Sequence, residues 1–244
     1  LPDPACVAGS AFGAFHGSVR LLSSTRKCVI GAATFGWPLF LYDASMQVPA
    51  LRRLSQQAAR AADAGDWQAA GDAIRAMLDM RPGDPALMLE LSYVESLAGR
   101  YRQALDWTRR VEEGGTGLRG ETALSLLRRL RTFNELSALQ RLAMHWLQAG
   151  VEAQVLVECA SQLSNANDHA AALRCAEAAV VQAPSALAPK LIRGQVLGHF
   201  GHVDAAAADF EWVLARAPGA ASAWWALARL RKQSPQSNHV VNLQ

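Results

Sequence analysis

Hydrophobic and polar positions divide this chain into two unlike texts. Residues 1–45 are rich in Gly, Ala, Ser and aromatics and carry no helical period. Regular helical patterning begins within five residues of Met46 and runs to about Lys232. Inside it, turn signals fall at Gly65, Gly99, Asn167 and Gly201, and their separations are all multiples of 34. Written in rows that begin at 51, 85, 119, 153, 187 and 221, the sequence needs no insertion. The twentieth column then reads Ala70, Ala104, Ala138, Ala172 and Ala206. With alanine at 47 of 244 positions, such a column arises by chance roughly once in four thousand. Column thirty-two, near the end of each row, holds Pro82, Pro184 and Pro218, with Thr116 and Gly150 as exceptions. Column eight holds the small residues Ala58, Ser92, Ala160, Gly194 and Ala228, and column twenty-four the large Ile74, Leu142 and Phe210.

Each row therefore predicts two helices, split by the Gly/Asn turn and ended by the proline column, because proline cannot continue a helix. Small residues at columns eight and twenty let two antiparallel helices approach, and the larger ones fill the space beside them. Neither helix can bury its apolar face alone, so successive pairs must stack. The pattern resembles the tetratricopeptide repeat family, whose unit is a 34-residue helix–turn–helix. Rows one (Gly65, Trp67, Ala70, Ile74, Pro82), two (Met88, Leu91, Gly99, Tyr101, Ala104) and five (Gly194, Leu197, Gly201, Ala206, Phe210, Pro218) carry it best. Row three departs: Phe133 stands at the turn column, His145 at a small apolar column and Gly150 at the proline, which predicts a distortion or a shift of a residue or two. Row six keeps its first helix, with Trp224, Leu227 and Ala228, before Ser234-Pro235. The resemblance implies an all-α fold, a right-handed superhelical α-solenoid of antiparallel helix pairs over residues 46–233, with 234–244 a tail or linker.

Composition changes this picture little. Alanine is abundant, isoleucine occurs three times, and arginine outnumbers lysine 21 to three, which leans helical. The net charge of +3 is too small to argue for nucleic acid, and none is expected as a partner. No apolar run reaches the roughly 20 residues that span a membrane. Cys6, Cys28, Cys159 and Cys175 follow no ligand or secreted spacing, so buried free thiols and a reducing, cytoplasmic setting are expected. In the first segment, Arg26 and Lys27 precede an apolar stretch from Cys28 to Tyr42, the flank and core of a secretory signal interrupted by Pro38. The preferred expectation is a native start at Met46, with residues 1–45 disordered or untranslated. The alternative is a weak anchor or a strap for an apolar groove.

Chemistry is sparse. His199 and His202 flank the fifth-row turn near Asp204, but a metal needs further ligands on a neighbouring element. His145 and His169 occupy packing or turn columns. Gly114, Gly115 and Gly117 lack the Lys-Ser/Thr of a phosphate loop, and Glu112 and Glu113 point apart on a helix. No catalytic residue, metal or cofactor is assigned.

The resemblance implies that columns two, five, nine, twelve and thirteen of each first helix line a concave groove. The candidates are Leu89, Tyr93, Leu97, Leu127, Val157, Ser161, Asn165, Leu191, Gln195, Trp225 and Arg229. Ser55 and Ala59 replace the Lys and Asn with which chaperone-binding members clamp a terminal carboxylate, so that clamp is not expected. Between Arg100 and Arg141 nine arginines face five acids, so Arg109, Arg110, Arg119, Arg128, Arg129 and Arg131 form a candidate basic patch for an acidic partner. The segment Ala-Trp-Trp-Ala-Leu-Ala (223–228) resembles the junction of bacterial repeat proteins that continue into a sulfotransferase domain. The expected function is a non-enzymatic scaffold for a protein or peptide partner. The alternative is the non-catalytic arm of a larger sulfotransferase, whose catalytic domain would lie in the same polypeptide.

Overall fold

The computed structural model describes residues 49–230. The expectations for residues 1–45 and 234–244 lie outside them. Every described element is helical. The helices are α1 (Pro49–Asp63), α2 (Trp67–Met80), α3 (Pro85–Leu97), α4 (Tyr101–Glu113), α5 (Gly120–Thr132), α6 (Leu136–Ala149), α7 (Ala153–Asn165), α8 (His169–Gln182), α9 (Leu187–His199), α10 (Val203–Arg216) and α11 (Ala221–Leu230). Consecutive helices pair antiparallel, and each pair packs on the next, giving the expected all-α solenoid.

The turn inside each pair follows one hydrogen-bonding scheme. Its left-handed residue is Gly65, Gly99, Asn134, Asn167 or Gly201, with φ between 56° and 76°. The amide after it reaches back five residues: Asp66 to Ala61, Arg100 to Glu95, Glu135 to Leu130, Asp168 to Leu163 and His202 to Leu197. This is a Schellman closure, which satisfies carbonyls that the helix end would leave bare. Asp66 and Asp168 then cap the second helix by accepting from the amides of Ala69 and Ala171.

Repeat three is displaced by one residue. Its turn residue is Asn134, not Phe133, and α5 starts at Gly120, whose φ is +52°. Counted from the turn, the place of Ala70, Ala104, Ala172 and Ala206 belongs to Leu139, so Ala138 is a neighbour of that column. His145 is exposed, and Trp146 is the fully buried residue of the pair. The cause lies ahead of α5. A 3₁₀ turn, Gly115–Gly117, carries the backbone into the core, where the Trp146 indole N–H donates to the Gly115 carbonyl at 3.2 Å. A Cβ on Gly115 would come within 3.0 Å of Leu126. Register returns at α7 because Gly150 ends α6 in a left-handed turn, φ +64°, where other repeats use proline.

One apolar cluster runs from Leu89 to Val196, and a second joins α10 and α11 to α9. Helix α9 serves both, with Ile192 and Val196 in the first and Leu191 and Leu197 against the second. Gly194 marks a close approach within a pair, since a Cβ there would meet Phe210 Cε1 at 2.8 Å. Cys159 and Cys175 are buried free thiols in the first cluster, and burial raises both pKa values.

Two buried carboxylates tie neighbouring helices together. Glu95 on α3 accepts from Arg75 of α2 and from Arg100 at the start of α4. Asp209 on α10 accepts a bidentate pair from Arg193 of α9 at 2.7 and 2.6 Å, with Lys190 at 3.5 Å. Each carboxylate is answered by cations, as burial of a charge demands.

Candidate binding face

The first helices α3, α5, α7, α9 and α11 pack side by side and present matching columns. In repeat two the fifth, ninth and thirteenth columns are Leu89, Tyr93 and Leu97. Leu89 is covered by core neighbours, while Tyr93 and Leu97 remain 36% and 41% exposed. In repeat three the one-residue displacement moves Leu127 into the core, where it is fully buried, and puts Leu124, Arg128 and Thr132 in those columns. Leu127 is therefore a packing residue. Helix α7 contributes the half-buried Val157 and Ser161 and the exposed Asn165, and α9 the half-buried Leu191 and exposed Gln195. In α11, Trp225 is 56% exposed, with the guanidinium of Arg229 stacked 4.4 Å from its ring centre. The face thus carries exposed apolar groups on α3 and α11, with polar and half-buried apolar groups between them.

The expected basic patch disperses on folding. Arg109 pairs with Glu135 at 2.6 Å, and Arg128 with Glu121 at 2.7 Å. Arg110 stacks on Trp107 at 4.5 Å, and Arg119 donates to the Leu118 carbonyl at 2.9 Å. Arg129 is 7% exposed and belongs to the interior. Its Nε–H donates to Ser92 Oγ at 3.1 Å, while Nη2 donates to the Ser92 carbonyl at 3.2 Å and to Ser96 Oγ. The Phe133 and Tyr93 rings flank it at 4.8 and 5.8 Å. Burial lowers its pKa to about 10, which leaves it charged at neutral pH. It is a clamp that joins α5 to α3 beneath Tyr93. Arg131 is exposed, with no side-chain hydrogen bond, ion pair or ring contact among the described residues.

Titratable groups on the face report its partial dryness. Glu90, one residue past Leu89, has its carboxyl raised to about 7 by burial and then by Asp84. At the turn end of α9, the His199 ring stacks on His169 with centres 4.4 Å apart and planes 9° from parallel. His169 Nδ1 also lies 3.3 Å from Ser164 Oγ. Burial lowers the His199 pKa, helped by His169 and by Arg229 from α11. The pair is a packed contact between successive repeats; among the described residues no three His, Cys, Asp or Glu converge as metal ligands. No described helix is long and apolar enough to cross a membrane.

The geometry has known counterparts. No protein-family model matches the chain, and no curated protein matches its sequence. A tetratricopeptide repeat protein from Parabacteroides merdae is similar in structure, with TM-score 0.58 at 14% identity over 74% of this chain and 72% of that one. YrrB, described as a tetratricopeptide repeat protein with an unusual peptide-binding site, matches at TM-score 0.49 and 15% identity over 66% and 82% of the two chains. MamA matches at TM-score 0.39 and 13% identity over 74% and 80%. The fold is that of a tetratricopeptide repeat solenoid, and the first of these structures carries that assignment. The sulfotransferase likeness of the Trp224-Trp225 segment is not carried by these structures.

Proposed function

We propose that this chain is a non-enzymatic scaffold that receives a peptide or protein segment along the face of its first helices. The observation that carries the reading is the pair of exposed apolar positions Tyr93 and Leu97 on α3, the helix that the buried Arg129 ties to α5. A solenoid buries apolar groups between its layers, so large ones kept on a helix face are available to an outside partner. Trp225 offers a second such group on α11. Anchors of this kind, set in a polar surround, hold most of the energy of a protein interface. The expected reducing, cytoplasmic setting suits the buried free thiols Cys159 and Cys175.

The test is position-specific photo-crosslinking in the source cell. A crosslinking amino acid at Tyr93, Leu97 or Gln195 is expected to trap the same partner at all three sites. The same group at the exposed Val181 of α8 or at Glu113 of α4 is expected not to trap it. Equal trapping from the two sets, or trapping from the second alone, contradicts the reading.

A further inference from the structure

Each junction between repeats has two matching positions, two places after the left-handed turn residue of one repeat and two places before that of the next. They hold Trp67 and Leu97, Tyr101 and Thr132, Leu136 and Asn165, and His169 and His199. Among the described residues, only the last junction sets a side chain that titrates near neutrality on each side.

The geometry of that junction is that of a hinge. Helices α8 and α9 are joined at one end by residues 183–186. At the other end, His169 begins α8 and His199 ends α9, and their rings stack 4.4 Å apart and 9° from parallel. The Phe200 ring meets His169 edge-on at 6.2 Å. Stacked imidazoles therefore close the end that the chain leaves open.

Neutral imidazoles stack, whereas two imidazoliums at this distance repel. The surrounding groups add positive charge. The Asp168 carboxylate is engaged by the Ala171 amide at 3.1 Å and by Gln140 Nε2 at 3.0 Å, and Asp204 on α10 is exposed. Helix α7 offers only the Ser164 hydroxyl, 3.3 Å from His169 Nδ1. His202 stacks on Phe200, and α11 brings Arg229. Partial burial, then His169 and Arg229, lower the His199 pKa from its ordinary 6.5. The closed stack thus disfavours the proton, so its contribution is complete above that value and is lost as pH falls through the lowered one. His199 is exposed, so protons reach it without unfolding.

We propose that the His169–His199 stack is an acid-released latch, which holds the turns of repeats four and five together when neutral and lets them part when protonated. Ile192 and Val196 keep α9 on the first apolar cluster, so release tilts repeat five and does not detach it. The tilt changes how the first helices of repeats five and six continue the face of the earlier ones.

Electron–electron double resonance on the full chain tests this, with spin labels carried by a ketone-bearing amino acid at the exposed Ala170 and Ala205, across the latch. A second pair at the exposed Gln103 and Ser137 spans the junction of repeats two and three. Between about pH 7.5 and about pH 5 the first distance is expected to lengthen, with its midpoint below about 6.5, and the second to stay unchanged. His199→Phe, whose ring stacks without titrating, is expected to hold the short distance at both pH values; His169→Phe replaces it should the first variant not fold. His202→Ala is expected to leave the transition in place. A first distance indifferent to pH, a transition that persists in the phenylalanine variant, or equal lengthening of both pairs overturns the proposal.

Discussion

At the scale of single residues, burial decides which charges are structural and which are available. Arg129 was legible as one more arginine in a basic run, yet it is enclosed by Ser92, Ser96, Tyr93 and Phe133. Nothing in the sequence separates it from Arg128 or Arg131, because neighbours on one helix point in directions about 100° apart and only the packed partner shows which is inward. Glu90 offers a test at this scale. Its carboxyl is raised from the ordinary 4.5 to about 7, first by burial. The folded state holds this proton more tightly than the unfolded chain, so the stabilising contribution is complete below about pH 4.5 and is lost as pH rises through 7. Glu90→Gln is expected to stabilise the protein at pH 8 by on the order of 1–3 kcal/mol and to do little at pH 4. Urea unfolding at the two pH values reads this, and an equal effect at both would remove Glu90 as the source of the pH dependence.

At the scale of helices, row boundaries were legible and one register was not. The thirty-four-residue rows, read from the turn and proline columns, put the start of every described helix within two residues of its place. Repeat three misled for a compositional reason. In a chain with 47 alanines, Ala138 fell in the alanine column while the structural place belonged to Leu139. The correcting signal was present: Asn134-Glu135 repeats the Asn167-Asp168 of the next turn, and aligning the two displaces the row by one residue. The same displacement took Leu127 out of the candidate face and put Arg128 and Thr132 in its columns. His145→Ala is accordingly expected to change stability by no more than about 0.5 kcal/mol, whereas Trp146→Ala is expected to cost about 3–5 kcal/mol through the cavity and the lost bond to Gly115. Thermal or urea midpoints decide between the registers, and a larger loss at His145 would restore the undisplaced row.

At the scale of the whole molecule, the described solenoid has no single centre. Each repeat touches its neighbours through a shared helix, as α9 joins the two apolar clusters, and the buried carboxylates Glu95 and Asp209 each bind arginine within their own stretch. Such a body offers an extended surface that a ligand can read at several points. The fold was legible because it is written as a repeat; the partner is not, because the face is assembled from single columns of separate helices, each too short to form a motif. The central claim is that this face, and not the outer helices, is the binding surface. Hydroxyl-radical footprinting measures side-chain exposure in solution and tests it most directly, with the partner recovered by crosslinking added. Tyr93 and Leu97 are expected to be protected on binding, while the more exposed Tyr101 and Val181 keep their reactivity. Protection of Tyr101 and Val181 with Tyr93 and Leu97 unchanged would contradict the account.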